Sequence, residues 1–180
     1  MKGLILLLKT VALIPILFFG CNEEEQTSIV AEYFIVNEEG IKTNSLKKGE
    51  NFAFRLVFEN KSYSDVHFNK MKPFNEFCKL YRINEGVKTL VGQPFKTMFC
   101  EYKGVFAVIP PGEKFILEVP WSNDQSSTLK RSTIVCGESE TELGSLIPGN
   151  YQSDFTSTFY FNDDEYLFEK HFTINFIINE

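Results

Sequence analysis

The chain predicts an all-β fold, with seven to nine antiparallel strands stacked as a two-sheet sandwich. Three observations lead there. Apolar and polar residues alternate with a period of two, most clearly where Phe52, Phe54, Leu56 and Phe58 interleave with Ala53, Arg55, Val57 and Glu59. The alternating runs are short and are separated by Asn, Gly, Pro and Ser clusters that turn the chain. No stretch sustains an apolar period of 3.6 residues, so no helix is expected in the domain. Phenylalanine is abundant, at 19 of 180 residues, and aromatic residues suit a pleated, half-buried surface.

Taken in order, residues 29–36 form the first strand, ended by Asn37-Glu38-Glu39-Gly40. A loop through Lys47-Lys48-Gly49-Glu50 leads into the strand over 51–59, and Asn60-Lys61-Ser62 turns the chain into a strand over 63–68. Residues 77–83 and 88–91 flank Asn84-Glu85-Gly86, a hairpin signal. Strands over 105–109 and 114–119 flank Pro110-Pro111-Gly112-Glu113, with Phe115, Leu117 and Val119 on one face and Pro120-Trp121 closing the second. Residues 122–145 are polar, rich in Ser, Thr and Glu, and read as a long loop. Residues 151–161 and 168–178 form a last hairpin across Asn162-Asp163-Asp164-Glu165. Tyr151, Phe155, Phe159 and Phe161 face inward from one strand and Phe172, Ile174, Phe176 and Ile178 from the other.

The run Leu146-Ile147-Pro148-Gly149-Asn150-Tyr151 resembles the Leu-x-Pro-Gly-x-Tyr that opens the penultimate strand of immunoglobulin-like and fibronectin type III-like domains. The resemblance implies an Ig-like sandwich over residues 28–180. It also implies a tyrosine corner, in which the Tyr151 hydroxyl bonds back to the backbone. A weaker likeness covers the run NFAFRLVFENKS from Asn51, Pro111-Gly112-Glu113 and the Pro-Gly-Asn-Tyr run. This layout is similar to that of proteinase inhibitor domains of the BsuPI type, and it assigns no active residue here.

The N-terminus reads as an export signal. Lys2 gives a basic start, and the apolar run from Val11 to Phe19 is too short for a bilayer span of about 20 residues. Phe18-Phe19-Gly20-Cys21 resembles a lipobox, although Phe occupies the two positions where Leu and then Ala or Ser are usual. The resemblance implies cleavage before Cys21 and lipid on its thiol, so that Cys21 anchors the protein in a membrane. Residues 1–20 are then the signal peptide and 21–27 an acidic tether. Asn22-Glu23-Glu24-Glu25 resembles signals that send lipoproteins to the cell surface, on the outer membrane; a periplasm-facing anchor is the alternative.

Residues 1–20 hold two lysines and no acid, so their removal takes the formal charge from −6 to −8. An acidic chain offers no electrostatic attraction for nucleic acid, and no nucleic-acid partner is expected. With Cys21 lipidated, Cys78, Cys100 and Cys136 remain, and three pairings are open. Cys136 lies in the polar segment that gains most from a covalent tie, worth roughly 3–4 kcal/mol by the chain-entropy estimate. Cys78 lies in a strand run that packing can hold. The expectation is a Cys100–Cys136 disulfide and a buried Cys78 thiol.

The sequence carries no nucleophile elbow, no zinc-protease helix motif and no glycine-rich phosphate loop. His67 and His171 read as ordinary strand residues, Trp121 as packing, and Asp163-Asp164-Glu165 as a solvated turn. No catalytic residue, metal ligand or cofactor is assigned. The expected function is a non-enzymatic binding or accessory module with a protein or glycan partner at the cell surface. The alternative is a proteinase inhibitor using residues 122–145 as its inserting loop.

Overall fold

The computed structural model of the protein describes residues 29–72, 76–94, 107–121, 128–129, 145–163 and 165–180. These residues form an all-β sandwich of two sheets. Among the described residues there are eleven strands: β1 (Ile29–Asn37), β2 (Lys42–Thr43), β3 (Ser45–Lys47), β4 (Phe52–Asn60), β5 (Val66–Lys72), β6 (Leu80–Asn84), β7 (Val87–Gly92), β8 (Ala107–Ile109), β9 (Lys114–Trp121), β10 (Gly149–Phe161) and β11 (Tyr166–Asn179). The first sheet runs β2-β1-β4-β9 and the second β3-β11-β10-β5-β8, with β6 also on β10 and β7 on β6. Taken as strands A, B and E on one side and G, F and C on the other, β1-β4-β9 and β11-β10-β5 follow the immunoglobulin order.

Two features depart from the sequence reading. There are more than nine strands, because the loop over 41–50 contributes β2 and β3. Nor is every pairing antiparallel: β3 lies parallel to β11, with Ser45 opposite Ile177 and Lys47 opposite Asn179. Both strands are only two or three residues long, below the length at which alternation can be read.

The core between the sheets is aromatic. Tyr33 of β1 meets Phe155 of β10 at 5.0 Å and Phe172 of β11 at 6.0 Å between ring centroids. Phe58 of β4 meets Phe68 at 4.9 Å and Phe159 at 5.0 Å. Phe52 meets Phe176 at 5.4 Å and stacks on Trp121. Edge-on and offset ring pairs of this kind add about 0.5–1.5 kcal/mol each beyond their area burial.

Along one edge of the second sheet the pairing of the described residues is discontinuous. On one edge β10 pairs with β6 over Asn150–Gln152 and with β5 over Thr158–Phe161, while residues 153–157 pair with neither. Among the described residues the third strand of an Ig-like sheet is thus seen as two pieces, β5 and β6. Residues 76–79 sit beside the gap and send Phe77 into the core, 5.9 Å from Tyr33 and 5.4 Å from Phe155. Gln93 Nε2 holds the Phe77 carbonyl at 2.7 Å, and Ser157 Oγ donates to the Lys72 carbonyl at 3.1 Å. This corrects the strand expected over 77–83. It begins at Leu80, and Cys78 lies in a turn with φ of 63°. The left-handed conformation costs a non-glycine residue about 1 kcal/mol or more, which the fixed burial of Phe77 and Cys78 offsets.

The β10–β11 hairpin turns through Asn162 and Asp163, both at positive φ. Its tip is tied to β5. His67 N–H donates to Asn162 Oδ1 at 2.9 Å, Asn162 N–H donates to the His67 carbonyl at 2.8 Å, and Asp163 N–H donates to Asn69 Oδ1 at 3.0 Å. Asn69 is the extra residue of a bulge, since Tyr160 pairs with Lys70 and Phe161 with Phe68. The bulge moves the buried positions of β5 from even to odd, giving Val66, Phe68 and then Met71.

Candidate binding face

The outward surface of the second sheet gathers the most polar side chains into one plane. The alternation that sends Tyr151, Phe155 and Phe159 of β10 inward sends Gln152, Asp154, Thr156, Thr158 and Tyr160 outward. Their partners on β11 are Asn175, Thr173, His171, Glu169 and Leu167. His171 sits between two hydroxyls, with Thr156 Oγ1 3.0 Å from Nδ1 and Thr173 Oγ1 3.0 Å from Nε2. Gln152 Nε2 donates to Asn175 Oδ1 at 2.8 Å. Lys88 reaches across from β7 to Asp154 at 2.9 Å. A tyrosine marks each end, Tyr81 with Lys88 6.0 Å from its ring centre and Tyr160 with Lys70 at 4.6 Å. The face therefore offers hydroxyl, amide and imidazole groups, beside the Lys88–Asp154 ion pair, Glu169 and Lys70.

Beneath this face lies a buried polar group. Tyr33 hydroxyl and Ser153 Oγ are 2.9 Å apart in the core, with the Cys78 thiol beside them. Burial pushes the Tyr33 phenol well above its ordinary value. The nearby thiol adds to the rise, and the Ser153 hydrogen bond opposes it. The Tyr151 phenol is raised by burial as well, against the pull of Arg82 and the bond to the Ile147 backbone. That bond runs from the Tyr151 hydroxyl to the Ile147 carbonyl, four residues upstream, at 2.7 Å. It ties the Pro-Gly turn to the start of β10.

The residues singled out from sequence do not converge on one site. Cys21, Cys100 and Cys136 lie outside the described residues, so the lipidation site and the expected disulfide do too. Most of the loop over 122–145 also lies outside them. Cys78 is a buried thiol. His67 lends its backbone to the hairpin tip, while His171 is part of the polar face. Trp121 is buried against Phe52, and its indole N–H has no hydrogen-bond partner among the described residues. Asn60 fits a glycosylation acceptor by sequence, but its side-chain nitrogen is buried and donates to the Ser64 carbonyl at 2.7 Å and the Ile109 carbonyl at 2.8 Å. It builds a turn. Among the described residues there is no cluster of three or more metal-ligating side chains, and no helix long and apolar enough to cross a membrane. The polar face escaped the sequence reading because outward positions of a strand look alike until the neighbouring strand and its register are known.

No protein-family model matches the chain, and no curated protein matches it. Among solved structures it is similar to a β-glucosidase from Listeria innocua in complex with glucose. The identity is 9% and the TM-score 0.31, over 86% of this chain and 16% of that one. A β-glucosidase involved in saponin metabolism from intestinal bacteria gives 13% identity and a TM-score of 0.26, over 83% and 16% of the two chains. This chain thus spans 16% of the length of those enzymes, and likenesses so distant carry no argument about it.

Proposed function

We propose that the chain is a lipid-anchored lipoprotein of the bacterial cell surface whose Ig-like sandwich is a non-enzymatic binding module. Two independent features support the two halves of this reading. The anchor rests on the basic start, short apolar run and Gly20-Cys21 junction, followed by the acidic run Glu23-Glu24-Glu25. The tether then separates lipid from sandwich by the few residues between Cys21 and the start of β1.

The binding half rests on one observation, the outward plane of β10 and β11 around Thr156, His171 and Thr173. Hydroxyl and amide groups beside an imidazole in one array suit a hydroxyl-rich ligand, because the hydroxyls and amides can donate or accept without the cost of stripping water from a charge. Tyr81 and Tyr160 supply apolar edges on which a sugar ring can rest. A cell-surface glycan is therefore the favoured ligand class.

Two measurements test the reading. Protease shaving of intact cells should remove the domain, and full protection would refute surface display. Binding of the full chain to immobilised glycans should be lost in Thr156→Lys with Asn175→Lys, while the unfolding midpoint is kept. Equal binding by the variant would remove this face from the reading, and turnover of the glycan would remove the non-enzymatic assignment.

A further inference from the structure

The hairpin of β6 and β7 projects beyond the sandwich. β6 touches β10 at only three positions, and β7 pairs with β6 alone among the described residues. Residues 87–91 of β7 are all exposed, including Val87 at 64%, Leu90 at 57% and Val91 at 40%. An exposed, largely apolar strand whose second edge has no partner strand among the described residues is a template for another strand. Its one charge, Lys88, is already neutralised by Asp154 at 2.9 Å.

We infer that β7 is a self-association edge, at which two copies of this chain pair antiparallel about a two-fold axis through Thr89. The argument begins at the turn. Glu85 and Gly86 both have positive φ, 49° and 81°, the pattern of a two-residue type I′ hairpin loop. Such a loop makes Asn84 and Val87 a hydrogen-bonded pair, and the alternation continues to the Tyr81–Leu90 pair, before the register shift at Val91. The backbone groups of Val87 and Thr89 therefore point toward β6, and those of Lys88 and Leu90 point away from it. A second β7 can bond only to Lys88 and Leu90.

Centring on Thr89 satisfies both. Lys88 of each copy faces Leu90 of the other and exchanges backbone bonds with it. Thr89 faces Thr89 as a close non-hydrogen-bonded pair, and Val87 comes opposite Val91, the bulged residue of β7. Val–Val and Thr–Thr are favourable cross-strand pairs. No like charges stand directly opposite. The same patch serves both subunits, as a two-fold interface requires. The outcome is one continuous sheet running from β11 through β10, β6 and β7 into the same strands of the partner.

The register makes the inference testable by cysteine cross-linking of the full chain in membranes of expressing cells, with the wild-type chain as baseline for the native cysteines. The two Thr89 Cα atoms stand about 4.5 Å apart, within disulfide reach. The two Val87 Cα atoms are offset by four residues, about 13 Å. On mild oxidation Thr89→Cys should give a linked dimer several-fold above wild type, while Val87→Cys stays at the wild-type level. Leu90→Lys added to Thr89→Cys sets like charges opposite each other and should return linking to baseline. Leu90→Lys alone should convert the detergent-extracted full chain from dimer to monomer in sedimentation. Linking of Thr89→Cys at the wild-type level, equal linking by Val87→Cys, no effect of Leu90→Lys, or a monomeric wild-type chain would each overturn the inference.

Discussion

Removing the Tyr33 hydroxyl tests how the middle of the core is held. Tyr33→Phe keeps the ring and its contacts with Phe155, Phe172 and Phe77, and deletes only the group 2.9 Å from Ser153 Oγ. Ser153 is fully buried and would lose its Tyr33 partner. A net hydrogen bond contributes about 0.5–1.5 kcal/mol, and stranding a buried partner raises the loss to about 1–3 kcal/mol. Ser153→Ala should cost less, about 1 kcal/mol, because the phenol keeps the Cys78 thiol beside it. The double variant should then fall short of the summed losses by about 0.5–1.5 kcal/mol. Urea unfolding reports each value through Trp121, the single tryptophan, which is buried against Phe52. The Tyr33 phenol is raised in the folded state, so the unfolded chain loses its proton first. Its contribution is fully present below about pH 10 and is lost as pH rises through the folded value. Wild-type stability should decline above about pH 10, and less steeply in Tyr33→Phe. Tyr151, also raised, keeps part of the slope. Additive losses together with an unchanged alkaline slope would refute the reasoning.

Phe77→Ala should cost about 3–5 kcal/mol in the same unfolding assay, since it empties the plug beside the gap in the second sheet. Tyr151→Phe should cost about 1 kcal/mol, because the Ile147 carbonyl it strands lies at an exposed residue that water can reach. Cys21→Ser should leave the protein unprocessed or release it from membrane fractions, read by fractionation and immunoblotting; unchanged membrane retention of the processed form would count against the lipid anchor.

The main strands were legible where period two was long and uninterrupted. Phe52, Phe54, Leu56 and Phe58 are all buried, as are Phe172, Ile174, Phe176 and Ile178. The Leu-x-Pro-Gly-x-Tyr run announced a turn into a strand, and Tyr151 does donate back to Ile147. What stayed hidden had a local physical cause. The bulge at Asn69 reverses the inward parity of β5, so that no single alternation fits both halves of the strand. Phe77 and Cys78 look like the start of a strand because they are apolar, yet they are buried by a turn that plugs the core edge-on. Ala53 and Val57 are buried although they sit on the face opposite Phe54 and Leu56, so β4 reads as more amphipathic than it is. The candidate face was invisible for a different reason. Thr156, His171 and Thr173 come together only through the register of β10 on β11.

The cut third strand links the core to both proposed surfaces. Because β5 and β6 are separate pieces, β6 is free of β5 and can carry β7 outward as a hairpin, anchored by only three pairs on β10. An uncut strand would run straight along β10 and leave no such wing. Among the described residues β10 has no partner on that side at 153–157, the stretch carrying outward Asp154 and Thr156 and inward Ser153, Phe155 and Ser157. Ser153 meets the Tyr33 hydroxyl, Phe155 packs on Tyr33 and Phe77 between the two serines, and Ser157 donates to the Lys72 carbonyl. The polar core group, the plug and the projecting edge thus gather at the interval between β5 and β6. Filling it with a continuous strand should remove the β7 edge and the left-handed turn at Cys78 together.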